Sequence, residues 1–368
     1  MSNRLREIEA LGQSIWIDNI SRQLLDDGVM RQLVEEDGIS GVTSNPTIFE
    51  KAMAHSDRYD DAFRETIDET REPQEIFERL AYADIRDAAD LLRPAFERTH
   101  GQDGYVSFEV PASVAFDADK TIEAAQRYKA EIDRPNVLIK VPGTGEGIRA
   151  FEELTALGIN VNVTLLFAVE RYEAIAEAFL KGLERRAEKG ESIDKSASVA
   201  SFFVSRVDGK VDKALEGTGR EDLRGKAAVA NAKIAYESFQ RIFSGPRWEA
   251  LAAKGARVQR PLWASTSTKN PDYSDTLYVD ELIGPDTVNT MPDQTIEAAR
   301  DHATPERTVD KQVEQAHQTI KEIKAAGVEF DRIVLEELVD EGVKSFADSY
   351  DSLLESIEGK ASELVHAA

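Results

Sequence analysis

The run NVLIKVP at residues 136–142 sets one lysine, Lys140, among apolar and β-branched neighbours, and PGTGEG (142–147) and EGIRAFEELTALG (146–158) follow it directly. A short β-branched run closed by Pro and Gly, then apolar residues at helical spacing, reads as strand, tight turn and crossover helix. The same unit recurs in both directions. Upstream stand SIWID (14–18), GISGVTSN (38–45) and YVSFEV (105–110); downstream stand INVNVTLLF (159–167), SVASFFVS (198–205), RPLWAS (260–265) and DTVNTMP (286–292). Eight such runs alternating with helical patterns predict an α/β chain closed as a (β/α)8 TIM barrel.

KTIEAAQRYKAEI (120–132), residues 146–158 and RYEAIAEAFLKGLERRAEKG (171–190) fit crossover helices, the last two ending at Gly. Between Glu50 and Thr99 two helical blocks split at Glu72-Pro73, more than one crossover requires, so additional helices on the barrel are expected. Beyond residue 292 the helical pattern continues through IVLEELVDEGVKSFADSYDSLLESI (333–357) without a Gly-, Pro- or Ser-rich linker. Residues 293–368 are therefore expected to be a helical C-terminal extension packed on the barrel, with 1–368 a single domain.

Lys and Arg number 45 against 69 Asp and Glu, a formal charge of −24 that repels nucleic acid and anionic membranes. The absence of cysteine excludes disulfides, thiolate metal sites and a cysteine nucleophile. The five histidines, His55, His100, His302, His317 and His366, are scattered rather than spaced as ligand pairs, so no metal is expected. The N-terminal MSNRLREIEALGQS is polar and helix-like, without the apolar stretch of a secretory signal, and no run is long enough to span a membrane. A cytoplasmic protein without membrane or nucleic-acid partners is expected, and its charged surface suits a monomer or a homodimer.

In barrel enzymes chemistry sits where strands meet the following loops, so polar residues at strand C-termini are the candidates. They are Asp18, Asn45, Glu109, Lys140, Asn162 with Thr164, Ser201 and Ser265. Lys140 has two compatible readings, an amine activated by desolvation or an ion pair with Glu109 on the neighbouring strand. Asp18 and Glu109 on one rim could divide acid and base roles, with a helix N-cap as the plainer role for either. Asn45 precedes Pro46 and also suits a turn; Asn162 and Thr164 alternate onto one strand face. PGTGEG reads as a tight turn or a phosphate cradle. Arg206 and Lys269, just past the sixth and seventh strands, are candidate anchors for a phosphate dianion or ordinary surface cations; Phe203 alone reads as a core aromatic.

Together GVTSNPTIFEKA, VSFEV, VLIKVPGT, INVNVTLLF, ASFFVSRVDGKVD, LWASTSTKNP and TVNTMPDQTIEA resemble the transaldolase family in its longer bacterial form, in unbroken order over roughly residues 14 to 300. The resemblance implies a class I mechanism with no cofactor and no metal, acting on sugar phosphates. Lys140 forms a Schiff base with a ketose, Glu109 moves protons through a water held with Thr164, and Asp18 takes the C4 hydroxyl proton. By the same resemblance Asn45 and Asn162 hold the retained dihydroxyacetone fragment, and Ser201 lines its pocket. Arg206 and Ser265 match phosphate-binding positions. The seventh-strand loop lacks the arginine that shorter relatives place two residues after the serine; Ser267 stands there, and Lys269 is the substitute expected. Phe203 occupies the place of a tyrosine in relatives that act as fructose-6-phosphate aldolases, which favours transfer over release. The runner-up readings are such an aldolase and a non-catalytic sugar-phosphate-binding barrel.

Overall fold

A computed structural model describes residues 3–54 and 56–366, so His55 and the first two residues of the expected N-terminal helix lie outside the described residues. Eight parallel strands, β1 (Gln13–Ile17), β2 (Gly41–Thr43), β3 (Tyr105–Glu109), β4 (Val137–Pro142), β5 (Val161–Leu166), β6 (Ser198–Phe203), β7 (Arg260–Ala264) and β8 (Thr287–Met291), pair in sequence order. The circle closes where β8 pairs with β1 from Gln13 opposite Thr287 to Ile17 opposite Met291. The predicted (β/α)8 barrel is therefore the fold. β2 is shorter than the run that announced it, because Gly38 ends a π-helical turn on one side and Pro46 opens a helix on the other.

The expected crossover helices are present as Ala118–Ile132, Gly145–Ala156 and Val169–Glu188. Their starts follow capping chemistry: Asp117 accepts from the Lys120 amide and Thr144 from the Gly147 amide, each satisfying a donor the helix leaves open. Between β2 and β3 run Pro46–Ala54, Asp60–Glu69 and Pro73–Arg98, the last beginning at the proline that the sequence marked. The expected extension begins with Asp293–His302, the helix directly after β8, which is the barrel's own eighth crossover helix; the added part starts beyond it.

The interior is stratified along the barrel axis. Trp16, Tyr105, Leu138, Val199, Leu262 and Val288 form an apolar plug separate from the core between strands and helices. Trp16 requires its neighbour to be glycine: a Cβ on Gly41, paired with Trp16 in the β1–β2 register, would stand 2.3 Å from the indole. Two residues further along the strands the inward positions carry hydroxyls and an amide, Thr43, Ser107, Asn162, Ser201 and Thr290, all buried and hydrogen-bonded to one another in two groups. Asp18 and Lys140 stand at the same step past Trp16 and Leu138, with Lys140 in register with Asn162 on one side and Glu109 on the other.

A helix from Leu338 to His366 lies across the C-terminal side of the barrel, launched by a π-helical turn at Ile333–Glu337. Its buried stripe of Val339, Val343, Phe346, Tyr350, Leu353, Ile357 and Leu364 packs against the three helices between β2 and β3. Polar pins fix it along its length. Lys210 pairs with Glu337 and Glu341 at 3.1 and 2.6 Å, Ser352 donates to Glu50 at 2.7 Å, and Lys360 pairs with Asp60 at 2.8 Å and reaches the carbonyls of Met53 and Ser56.

Candidate active site

The strands end in a cavity of about 350 Å3 whose wall contains Asp18, Asn45, Glu109, Lys140, Thr164, Ser201, Phe203, Arg206, Ser265 and Lys269. Lys140 Nζ donates to Glu109 Oε2 at 3.0 Å and to the Ser44 carbonyl at 2.9 Å, and both side chains are less than a tenth exposed. The strand register puts Glu109 directly beside Lys140. A buried ammonium without partners costs several kcal/mol, so the carboxylate and the carbonyl are what keep Lys140 in the floor of the cavity. The ion-pair reading holds, and the paired amine also lines the cavity.

Asp18 is not a helix cap: the following helix begins at Arg22 and is capped by Ser21. Its Oδ1 accepts from Thr43 Oγ1 at 2.6 Å, and Thr43 in turn lies 2.6 Å from Thr290 Oγ1. With Asp18 ionised the one proton of Thr43 is committed to it, so Thr290 donates to Thr43. Burial pushes the Asp18 carboxyl above its ordinary value, against the pull of the Thr43 bond and of Lys140. Glu109 is raised for the same reason, burial outweighing the adjacent Lys140.

Asn45 caps the Pro46–Ala54 helix, its Oδ1 accepting from the Ile48 amide at 3.0 Å, and so combines the turn reading with a place on the cavity wall. Asn162 is the candidate that does not reach the cavity. It is fully buried one layer below, donating to Ser107 Oγ at 3.1 Å and accepting from Ser201 Oγ at 2.6 Å, so Ser201 stands between it and the open space. A register shift between Val163 and Leu166, with Leu165 at φ 61°, breaks the strand alternation, and Thr164 and Leu165 both line the cavity. PGTGEG runs from the last residue of β4 through a two-residue turn, Gly143-Thr144, into the first turn of the Gly145–Ala156 helix and lies outside the wall; Gly147 sits so close to the Pro142 carbonyl that a Cβ would stand 1.8 Å from its oxygen.

The cavity wall also carries two further cations. The Arg206 guanidinium lies over the Phe203 ring, 5.3 Å from its centroid, with no ion-pair partner within 4 Å among the described residues; burial lowers its pKa, Glu341 opposing. Among the described residues Lys269 Nζ donates only to Ser267 Oγ, at 2.8 Å. Ser265, at φ 56°, meets Ser205 through their hydroxyls at 2.9 Å. Arg206 and Lys269 are thus two under-neutralised cations lining one cavity of a chain with charge −24.

The wall also contains residues that the sequence did not single out. Thr43 and Thr290 sit at strand ends, and the alternation GVTSN and TVNTM offered the signal for both. Gly342, Ser345, Phe346 and Ser349 come from the C-terminal helix, Ser349 accepting from Thr47 Oγ1 at 3.1 Å. No local signal marks them, since only tertiary packing brings that helix over the strands.

A second cavity, of about 530 Å3, opens at the opposite end of the barrel. Part of its charge is matched: Arg260 donates to Ser14 Oγ at 2.7 Å and faces Asp103 at 3.5 Å, and Asp103 accepts from Trp16 and Ser40, while Arg257 donates to the Gly101 carbonyl and has no ion-pair partner within 4 Å among the described residues. Its lining contains no lysine, cysteine or histidine to serve as a nucleophile, so the smaller cavity, which holds Lys140, is the one equipped for chemistry. His302 and His317 are exposed and bonded to carboxylates, His302 to Asp275 and Asp301 and His317 to Glu237.

Residues 15–357 match the family model described as Transaldolase/Fructose-6-phosphate aldolase. The chain is 49% identical to Transaldolase 2 of a Nostoc species over 97% of each chain. It is 47% identical to a transaldolase of Trichodesmium erythraeum over 99% of each. A Thiobacillus denitrificans transaldolase is 49% identical over 96% of this chain and 99% of its own.

Proposed function

The chain belongs to the transaldolase/fructose-6-phosphate aldolase family, and on that premise we propose that it moves a dihydroxyacetone unit from sedoheptulose 7-phosphate to glyceraldehyde 3-phosphate, giving erythrose 4-phosphate and fructose 6-phosphate. The observation that carries the reading is the buried Lys140 amine, 3.0 Å from Glu109, in the same cavity floor as Asp18. The Lys140 amine adds to the ketose C2 carbonyl; Glu109 supplies the proton with which the carbinolamine oxygen leaves as water, and an iminium remains. Asp18 takes the proton of the C4 hydroxyl as C3–C4 breaks, the electron pair passing into the iminium as an enamine. The aldose phosphate departs; the enamine attacks the acceptor aldehyde, and the steps reverse.

Within this proposal Thr164 holds the water that relays protons to Glu109, Asn45 and Ser201 bind the hydroxyls of the retained fragment, and Asn162 acts by orienting Ser201. Arg206, Ser265 and Lys269 receive the phosphate. Phe203 brings an apolar ring and no hydroxyl to the cavity, which supports transfer over a hydrolytic aldolase. The whole chain, including its C-terminal helix, serves one site, and the reaction belongs to the non-oxidative pentose phosphate pathway in the cytoplasm. No helix of the described residues is long and apolar enough to cross a membrane.

Borohydride reduction in the presence of fructose 6-phosphate tests the mechanism. An irreversible adduct of dihydroxyacetone mass on Lys140, absent in Lys140→Ala, is the expected outcome. Active, folded protein that yields no adduct on any lysine rules the Schiff base out.

A further inference from the structure

The two segments that carry the cations are fastened to each other away from the cavity. Arg206 stands in the first turn of the Ser205–Ala214 helix, and Lys269 stands in the loop from 265 to 276, which has no strand or helix of its own. Asp208 and Asp212, one turn apart on that helix and both buried, each take a phenol from the chain after β7. Tyr278 donates to Asp208 at 2.8 Å and Tyr273 to Asp212 at 2.5 Å. The carboxylates are held in turn by backbone amides, Ala228 on Asp208 and Gly225 on Asp212, each at 2.8 Å. Gly225, at φ +72°, lets the Tyr273 ring lie against the chain; a Cβ there would stand 2.7 Å from the ring.

A lysine has a long, freely rotating stem, and on an irregular loop its placement depends on what holds the loop. Lys269 makes one side-chain bond, to Ser267 in the same loop, so nothing in its own contacts fixes it relative to Arg206. The nearest tie from this loop to the Arg206 helix on the C-terminal side of Lys269 is Tyr273, four residues on, and a phenol bonded to a buried carboxylate is among the stronger neutral-to-charged bonds.

We propose that Tyr273, through its hydroxyl on Asp212, is a positioning residue for Lys269 and so sets the affinity of the cavity for the substrate's phosphoryl group without taking part in the carbonyl chemistry. The inference rests on the assignment of Arg206 and Lys269 to the phosphate.

Tyr273→Phe keeps the ring on Gly225 and removes the hydroxyl; Asp212→Asn disturbs the same bond from the other side at constant volume. Each is expected to raise KM for fructose 6-phosphate about tenfold and to weaken binding of inorganic phosphate by a similar factor, with kcat within about twofold. Lys269→Ala is expected to do the same, and Tyr273→Phe added to it to do nothing further, since the clasp acts through that lysine. A fall in kcat at unchanged KM, or effects of Tyr273→Phe and Lys269→Ala that multiply, overturns the positioning role. If Lys269→Ala alone leaves KM and phosphate binding unchanged, the phosphate assignment beneath it is what fails. Borohydride trapping on Lys140 persists in all variants if the Schiff-base reading holds, and its absence from the unmutated protein marks failure at that level instead.

Discussion

In the proposed reaction Asp18 and Lys140 have separate tasks, which substitution can tell apart. Asp18→Asn retains the amine and Glu109, so it should still give the borohydride adduct of the intact ketose while C3–C4 cleavage slows by about 10² to 10⁴-fold. Loss of the adduct in that variant would place Asp18 in Schiff-base formation instead. The same carboxylates set the pH profile. Burial holds Asp18 and Glu109 above their ordinary values of 3.8 and 4.5. A base works only when ionised, so activity must rise with pH through the raised value of Asp18, and the acid limb of kcat/KM belongs above the ordinary 3.8; a limb at or below 3.8 contradicts the burial argument. At this scale the sequence was most legible for residues whose polarity conflicts with their surroundings, as Lys140 does in VLIKVP. It was least legible for depth. Alternation placed Asn162 and Thr164 on one face correctly, but the bulge after Val163 and the height of Ser201 in the barrel decide that only Thr164 meets the cavity.

Strands and crossover helices were readable because each satisfies its own local rule: β-branched runs for β4 and β5, apolar residues at helical spacing with Asp117 or Thr144 as caps for the helices between. Element ends were less so, since GISGVTSN reads as one extended run although Gly38 and Pro46 commit its two ends to helical turns. The Ser205–Ala214 helix carries a property that only its packing creates. Burial raises Asp208 to about 7, despite its bonds from the Ala228 amide and Tyr278. A carboxyl that keeps its proton more tightly when folded contributes stability that is full below its ordinary value of 3.8 and fades as pH climbs toward 7. Asp208→Asn should therefore flatten the stability profile between about pH 4 and pH 7, by about 4 kcal/mol at most. Denaturant melts at both ends of that window check it; an unchanged slope in the variant would assign the pH dependence to other groups.

The Leu338–His366 helix joins two functions of the whole molecule that are usually spread over different parts. Its buried stripe covers the aromatic surface that Phe77 presents to Tyr350, with ring centroids 6.1 Å apart, and its Gly342, Ser345, Phe346 and Ser349 complete the wall around Lys140. At Gly342 the helix comes close to β5: a Cβ there would meet the Leu165 side chain at 3.1 Å. Because one helix both closes the core and closes the site, loosening it should couple stability to reaction outcome. Phe346→Ala removes a side chain that is 9% exposed, and should lower stability by about 3 to 5 kcal/mol while opening the cavity to water on that side. Water that reaches the iminium hydrolyses it, so release of free dihydroxyacetone in the absence of an acceptor aldehyde should rise several-fold relative to transfer. Measuring both products from fructose 6-phosphate, with and without erythrose 4-phosphate, separates the effects. If stability falls but the ratio of release to transfer stays fixed, the helix is a structural clamp and the exclusion of water belongs to the barrel residues alone, Phe203 first among them.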